Sequence, residues 1–374
     1  MRARLLWIVG IGIALFPLIT LGGETQPPTH AQRSGQPLVR GWDRDIKKTT
    51  VAPHLEQEIV PGENLVWCST FQLAWDELCD LTGGPIKMEN APAMVPILNR
   101  KRVAKRDLDQ ASYVAMAGFA EDGIYHRIRQ ELARKFHGQA DPALLNSLPK
   151  QAWVAYAYLF KDLPFRWAFR RFPRALSFAG KSVDCFGVFS YPEGMDPGEK
   201  RKASQVTVWD YRNNDDLIVE LKTRAKEDQL ILAKVTPGKS LAKTIEMVEK
   251  RIAAGKPSLL RSEEDFLVPI LDFELFRGYH ELAGHPIKTA NGKLDQVAIT
   301  ALQSIRFRLD ERGAVLKSEG WASGGAGPPK TFVFNKPFLI LLKRRNAENP
   351  YFAMWVGNAD LLIATPKAGK DKKH

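Results

Sequence analysis

The chain has 374 residues, of which 44% are hydrophobic and 10% aromatic. That apolar content suffices for one large core or two ordinary ones, and it excludes a disordered chain. The formal net charge is +12. Such a charge predicts either a surface that attracts polyanions or scattered lysines and arginines that only keep the protein soluble. The densest basic patches are Arg100 to Arg106, Arg170 to Arg174 and the tail from Lys370 to His374.

The first residues predict an export signal. Arg2 and Arg4 precede an apolar run from Leu5 to Leu21, and a polar stretch follows. We expect a signal peptide over residues 1–31 and a mature protein that is secreted or periplasmic. The apolar run is also long enough to span a bilayer, so an uncleaved membrane anchor is the alternative interpretation.

Three further segments complete the predicted organisation. Residues 32–55 contain Pro, Thr and Gln without an apolar period, which predicts a linker. We expect one folded domain over residues 56–362 and a basic tail over residues 363–374.

Three amphipathic helices are predicted. The first begins at Ser69, where Ser69-Thr70-Phe71-Gln72 has the pattern of a capping box, and it ends before Gly83-Gly84-Pro85. The second follows Asp122 and the third begins at Ser240. The second helix places four apolar residues on one face: Ile124, Ile128, Leu132 and Phe136.

Short β-branched and aromatic runs bounded by turn residues predict strands. The predicted strands are 153–160, 205–211, 216–221, 229–235, 266–271 and 301–309. The runs 338–342 and 351–356 predict a hairpin buried on both faces.

Patterns that would indicate catalysis or metal binding fail on spacing. His280 and His285 are five positions apart, whereas a zinc-protease helix needs four. The three cysteines cannot all pair, and Cys68 and Cys79 are too far apart along one helix for a disulfide, so we expect free buried thiols. We therefore expect no enzyme, no metal and no cofactor.

The C-terminal region resembles the serpin family of protease inhibitors. Glu311-Arg312-Gly313 resembles the serpin hinge, and Asn335-Lys336-Pro337-Phe338 resembles the strand that follows the serpin reactive-centre loop. The segment between them, from Ala314 to Val333, is close in length to that loop.

Further similarities extend over most of residues 60–358. Asn64 to Trp67 before the first helix, Tyr158 to Lys161 with Trp167, and the Phe266 to Ile270 strand followed by a Tyr279 to Ile287 helix all resemble serpin segments. The resemblance implies an α+β fold in which a large β-sheet and smaller sheets are surrounded by helices, with an exposed reactive-centre loop.

In serpins a protease cuts this loop, and the freed arm inserts as a new strand into the large sheet. The resemblance assigns the loop hinge to Glu311, Gly313, Ala314, Leu316 and Ser318. It places the bond to be cut near Gly325, Ala326 and Gly327. Only a protease with a small primary pocket would accept that segment.

Three features depart from the family pattern. At the positions of its sheet-opening hydrogen bonds the chain has Tyr156, Gln303, Cys68 and Phe71, which predicts that this latch is missing. The short connection 138–152 predicts that the helix covering the large sheet is absent, which would leave part of the sheet bare. The hinge carries larger or charged residues in place of alanines: Leu316, Lys317 and Glu319.

Two functions follow from these expectations. The first is an exported inhibitor of serine or cysteine proteases that acts by loop cleavage and insertion. The second is a non-inhibitory, serpin-fold binding or structural protein outside the cytoplasm. A polyanion is a further expected partner with either function, whereas specific nucleic-acid binding is not expected.

Overall fold

The computed structural model describes most of the chain beyond residue 38. The described residues are 39–137, 140, 145–146, 148–161, 163–189, 197–261, 263–283, 285, 287–288, 294–295, 299–313 and 330–365. Within these ranges, no helix is both long enough and apolar enough to cross a bilayer. The export signal and the basic tail beyond Thr365 lie outside the described residues.

The described residues form five α-helices and twenty strands, numbered here in chain order. The helices are α1 Thr70–Leu81, α2 Met94–Leu98, α3 Ile124–Phe136, α4 Pro197–Ala203 and α5 Leu241–Ala254. The first ten strands are β1 Val39–Trp42, β2 Thr49–Ala52, β3 Asn64–Cys68, β4 Lys87–Met88, β5 Tyr113–Phe119, β6 Trp153–Phe160, β7 Arg170–Phe178, β8 Lys181–Val188, β9 Val206–Asn213 and β10 Asp216–Leu221. The other ten are β11 Asp228–Lys234, β12 Ser258–Leu259, β13 Asp265–Pro269, β14 Leu271–Gly278, β15 Ile287–Lys288, β16 Leu294–Asp295, β17 Ile299–Leu309, β18 Thr331–Val333, β19 Phe338–Arg344 and β20 Pro350–Val356.

The strands form one five-stranded, one eight-stranded, one four-stranded and one three-stranded sheet. In the five-stranded sheet the order is β1-β14-β17-β6-β5, and in the eight-stranded sheet it is β12-β9-β10-β11-β19-β20-β3-β2. The four-stranded sheet has the order β18-β13-β8-β7, and the three-stranded sheet β16-β15-β4.

The main hydrophobic core lies between the five-stranded and eight-stranded sheets. Along β17, Ile305, Phe307 and Leu309 alternate into this core, as the two-residue period of a strand requires. Phe307 stacks on Phe352 of β20, with ring centroids 4.6 Å apart. The two sheets are therefore packed through β17 and the last strand of the chain.

Helix α1 begins after Ser69, as predicted, but not by a capping box. The Ser69 side chain accepts no capping hydrogen bond. The Gln72 amide donates instead to the Leu98 carbonyl at 2.7 Å. The backbone N–H of Ser69, which a capping box would satisfy, already donates to the carbonyl of Tyr351 at 3.0 Å. The capping-box prediction is wrong, because the Ser69 N–H that a capping box would use is already bonded to β20.

The other two predicted helices are confirmed. In α3, Ile124 and Ile128 are fully buried, and Leu132 and Phe136 nearly so. In α5, the Ser240 hydroxyl accepts the N–H of Lys243, which is an N-cap.

Two sequence predictions of strands and linkers need correction. The predicted strand 266–271 is two strands, because the chain leaves the four-stranded sheet at Pro269 and enters the five-stranded sheet at Leu271. Within the predicted linker 32–55, β1 pairs with β14 and β2 pairs with β3. Each of these edge strands is four residues long, which is too short for an apolar period to be recognised in the sequence.

Candidate functional site

The centre of the five-stranded sheet is a contact between two parallel strands. β6 and β17 pair directly, from Trp153 with Ile299 to Phe160 with Arg306. Their other neighbours, β5 and β14, are antiparallel to them. We call the β6 and β17 contact the seam, because it is where the two halves of the sheet meet.

One face of the seam carries small side chains. Ala155 and Ala157 of β6 and Ala301 of β17 belong to one buried cluster with the apolar face of α1. Small residues at a strand contact leave little interdigitation to break when strands separate. This face of the seam is therefore held by something other than large apolar side chains.

A buried hydrogen-bond network, which we call the latch, lies on this face and ties β17 to α1, to the end of β3 and to the residue after β14. The Gln303 side chain is fully buried and accepts a hydrogen bond from the Tyr279 hydroxyl at 2.7 Å. Its amide donates to the Cys68 carbonyl at 3.2 Å and to the Thr70 hydroxyl at 3.3 Å. Phe71 stacks on Tyr279, with centroids 3.8 Å apart. The prediction of a missing latch is wrong, because Gln303 and Tyr279 supply one with different residues.

Burial shapes the acid–base behaviour of the latch. It raises the pKa of the Cys68 thiol to about 11 and that of Tyr279 well above its ordinary value. Both groups therefore stay neutral at physiological pH, and the latch carries no charge. All three cysteines are buried and free, as predicted.

Tyr156 is not part of the latch. Gln303 pairs with Ala157 across the seam, so the neighbouring residue Tyr156 faces the opposite side of the sheet. There it packs in the cluster that contains α3. The assignment of Tyr156 to the latch is therefore wrong, because successive side chains of a strand point to opposite faces of the sheet.

Helix α3 covers that opposite face. Its residues Ile124, Ile128, Leu132 and Phe136 cluster with β5, β6 and β17. Phe136 meets Tyr158 edge to face at 4.8 Å. The prediction of an uncovered sheet is wrong, because α3 buries its apolar stripe on this sheet.

A second fastening, the root clamp, closes the end of the seam where the loop begins. Phe165 donates its backbone N–H to the Arg312 carbonyl at 3.3 Å, and Phe169 donates to the Glu311 carbonyl at 2.8 Å. A Cβ atom at Gly313 would lie 3.1 Å from the Phe165 ring and 3.2 Å from the Leu163 carbonyl oxygen. A larger residue at position 313 would therefore crowd Phe165 and Leu163, so glycine suits the close approach of the two segments.

A row of charged side chains lies next to the root clamp. The Glu311 carboxylate lies 3.8 Å from the guanidinium of Arg171, which binds Asp184 at 2.7 Å. Asp184 is fully buried. Although burial opposes it, hydrogen bonds from Thr365, Arg171 and the backbone of Arg174 lower the pKa of Asp184 to about 2.

A buried ion pair ties β6 to the eight-stranded sheet. Lys161, which follows β6, lies 3.0 Å from Asp228 at the start of β11, and at least nine-tenths of each side chain is buried. The Lys161 ammonium also lies 5.8 Å from the centre of the Tyr351 ring. Because both charges are buried, removing either member of this ion pair would destabilise the fold.

The two ends of the predicted reactive loop lie in different sheets. Its N-terminal end, Gly313, follows β17, and its C-terminal end, Thr331, begins β18, which pairs in parallel with β13. The buried ammonium of Lys234 donates to the Val333 carbonyl at 2.6 Å. Burial lowers the pKa of Lys234. Residues 314–329 we call the loop segment.

Most of the predicted site residues fall in that segment. Glu311 and Gly313 are placed as described above. The remaining hinge and cleavage-site residues lie outside the described residues: Ala314, Leu316, Ser318, Gly325, Ala326 and Gly327.

The described residues offer no cluster of three or more metal-binding side chains. Among the described residues of the predicted helix from Tyr279 to Ile287, the structure has a short 3₁₀ turn, His280–Leu282. Its first turn is fixed by Tyr279, whose side chain turns into the latch.

Comparisons with known proteins extend this description. No family model matches the chain, and no curated protein matches its sequence. Among solved structures, human thyroxine-binding globulin complexed with thyroxine aligns with 80% of this chain and 93% of its own, with a TM-score of 0.50 and 8% identity. A tumour-suppressing serpin aligns with 80% of this chain and 93% of its own, with a TM-score of 0.50 and 10% identity.

These alignments define the class of fold. The chain has the serpin fold, with the sheets and surrounding helices that the sequence resemblance implied. At 8% and 10% identity the likeness establishes the fold alone.

Proposed function

We propose that this chain is an exported protease inhibitor that acts by cleavage of its loop segment and insertion of the freed arm into the seam. A serine protease, or a cysteine protease, would be the target. The observation that carries the proposal is the direct parallel contact of β6 and β17 beside the root of the loop segment.

Insertion at the seam would improve the hydrogen bonding of the sheet. An arm that turns back after Gly313 would run antiparallel to β17, and therefore also to β6. It would replace one parallel contact by two antiparallel ones, which are slightly more stable per residue. It would also add a strand of backbone hydrogen bonds, each worth about 1 kcal/mol.

The lengths agree with this proposal. The seam covers the eight residues of β6, about 26 Å at the rise of a strand. Residues 314–326 extend to at most about 43 Å. A turn of about three residues therefore leaves enough chain to fill the seam.

The side chains of the arm fit one face of the seam. Sequence alternation puts Ala314, Ser318 and Ala322 on one side of an extended arm. Small residues of this kind suit the face lined by Ala155 and Ala301. Leu316 falls on the same side of the arm, and over-packing by a larger side chain costs about 1–3 kcal/mol.

A protease with a small primary pocket, of the elastase or subtilisin type, is the proposed target. Incubation with such proteases should give an adduct that survives SDS, and the cleaved protein should melt at a higher temperature than the intact one. Cleavage near Ala326 without an adduct across a broad panel would contradict inhibition. Export is tested separately by the N-terminal sequence of the mature protein, which should begin at Gln32.

The second candidate is a non-inhibitory binding or structural protein outside the cytoplasm. The root clamp joins the segments that follow β6 and β17, the latch anchors β17, and the pair of Lys161 with Asp228 anchors the end of β6, which favours a sheet that stays closed. Thyroxine-binding globulin, a solved structure with the same fold, is complexed with thyroxine. This candidate predicts that cleavage of the loop segment leaves the melting temperature unchanged, and a large rise would contradict it.

A further inference from the structure

The segment from Val39 to Ala52 joins the two large sheets, and we call it the strap. Its first strand, β1, is the last strand at one edge of the five-stranded sheet and pairs in parallel with β14 over four residues. Its second strand, β2, is the last strand at one edge of the eight-stranded sheet and pairs in parallel with β3 over four residues. The strap therefore crosses from one sheet to the other within the short turn 43–48.

Side chains as well as backbone bonds fix the first half of the strap to β14. The Arg40 guanidinium donates to the Glu274 carboxylate at 2.8 Å, and the Glu274 side chain is buried. The Trp42 ring lies 5.9 Å from the ring of Phe276, and the Arg40 guanidinium lies 5.1 Å from the same Phe276 ring. Contacts between directly opposite residues of this kind stabilise the pairing of two strands.

The turn of the strap is organised around the buried side chain of Asp43. Its carboxylate accepts the backbone N–H of Arg44 at 2.9 Å and that of Val51, in β2, at 3.4 Å. It also accepts a hydrogen bond from the guanidinium of Arg277, in β14, at 2.9 Å. One carboxylate thus joins the two sheets, and its bond to Arg277 is charge-assisted.

Arg277 connects the strap to the latch. Its guanidinium lies 5.0 Å from the centre of the Tyr279 ring, and the Tyr279 hydroxyl donates to Gln303 at 2.7 Å. Arg277 is also paired directly with Gln303 in the contact between β14 and β17. A continuous series of contacts therefore extends from Asp43 to the centre of the latch.

The strap spans parts of the molecule that separate when the seam widens. β14 and β17 lie on one side of the seam and are paired over eight residues, so they move together. On the other side, α1 packs on β5 and β6, and α1 follows β3 directly along the chain. Because the strap ties β14 to β3, a wider seam would stretch the turn 43–48 and break the bond of Asp43 to Arg277.

We propose that the strap is a built-in restraint on the opening of the seam, with Asp43 as its positioning residue. The side chains that meet at one face of the seam are small, so a restraint outside the seam has a large share in keeping it closed. The strap sets how often β17 moves away from β6. This proposal concerns opening alone, and it does not require that the arm ever insert.

The variant Asp43→Asn tests the restraint, with Asp45→Asn as the matched control. Asparagine keeps the size of the side chain and one acceptor oxygen, but it removes the negative charge that binds Arg277. Asp45 belongs to the same turn and is exposed, and its carboxylate lies 3.9 Å from Arg44. The two variants therefore remove the same charge, and the first also removes the bond between the strap and β14.

The measurement is hydrogen exchange of individual backbone amides. The seam amides, in residues 153–160 and 299–306, should exchange at least about tenfold faster in Asp43→Asn, because a hydrogen bond to a charged group is lost whenever the seam opens. The amides of β19 and β20, which report global unfolding, should accelerate by the same factor. The control should change neither set by more than about twofold. Acceleration in β19 and β20 without acceleration in the seam would overturn the proposal, since the seam would then open with the strap in place.

The unaltered protein provides a second test that does not depend on how a variant folds. The seam amides should exchange faster than those of β19 and β20, and the amides of β1 should exchange at least as fast as the seam amides. Seam amides as protected as β19 and β20 would refute the proposal, because there would be no separate opening to restrain. Seam amides that exchange faster than β1 would refute it as well.

Adduct formation with a protease distinguishes this restraint from the proposed inhibition. Faster seam exchange in Asp43→Asn, with no adduct in any variant, would support the restraint and contradict inhibition. An adduct in every variant, with unchanged seam exchange in Asp43→Asn, would support inhibition and contradict the restraint.

Discussion

Replacing Gln303 by Ala should lower the stability of the folded protein, because it removes the centre of the latch. The change removes three buried hydrogen bonds and leaves the Tyr279 hydroxyl, the Thr70 hydroxyl and the Cys68 carbonyl without their partner. At about 1 kcal/mol for each bond, the free energy of unfolding should fall by about 3 kcal/mol. For a chain of this size that corresponds to a decrease in melting temperature of about 4 °C.

The assay is thermal unfolding followed by calorimetry or circular dichroism, with Gln151→Ala as the matched control. Gln151 is exposed, and its amide donates to Glu121 at 2.8 Å on the surface. The control should change the melting temperature by less than about 1 °C, as surface substitutions usually do. If the Gln303→Ala variant has the same melting temperature as the Gln151→Ala control, the latch does not stabilise the fold.

Three further substitutions probe other parts of the site. Lys161→Met should lower the free energy of unfolding by about 3–5 kcal/mol in denaturant titrations, because it leaves the buried Asp228 without its cationic partner. The double variant with Asp228→Leu should recover most of that loss. Asp184, with its pKa lowered to about 2, stabilises the fold above about pH 4, and this stability is lost as the pH falls towards 2. Asp184→Asn should therefore be less stable by about 2 kcal/mol at neutral pH and lose less stability on acidification, and a parallel pH profile would contradict this. If the arm inserts, Ala314→Arg should convert the inhibitor into a substrate, as judged by loss of SDS-stable adducts, whereas Lys317→Arg, which keeps the charge already present there, should not; equal behaviour would contradict burial of the Ala314 face.

Local patterns predicted the parts of the fold that depend on neighbouring residues. The apolar stripe of α3 and the continuous apolar run of β19 follow from periodicity, and the structure has both. The strands β1 and β2 were missed because they are four residues long and are stabilised by partners far along the chain. Arg40 of β1, for example, binds Glu274, 234 positions away.

The latch shows why the site was harder to predict. The latch brings together Thr70 of α1, Tyr279, which follows β14, and Gln303 of β17. These residues come into contact only when the three elements are assembled. The family pattern pointed to the position of Gln303, but it could not reveal that Tyr279 supplies the second partner. The surface charge shows the same limit, because four of the five cations in the run 100–106 lie beside acids that are distant in sequence.

The position of the last hairpin has a consequence for a cut chain. β19 and β20 lie in the middle of the eight-stranded sheet, between β11 and β3. A chain broken within the loop segment would carry both strands in its C-terminal fragment, with Phe338 and Phe352 fully buried. That fragment cannot dissociate without exposing the centre of the sheet to water on both sides. The nicked protein should therefore migrate as a single particle in size-exclusion chromatography and separate into two polypeptides only under denaturing conditions.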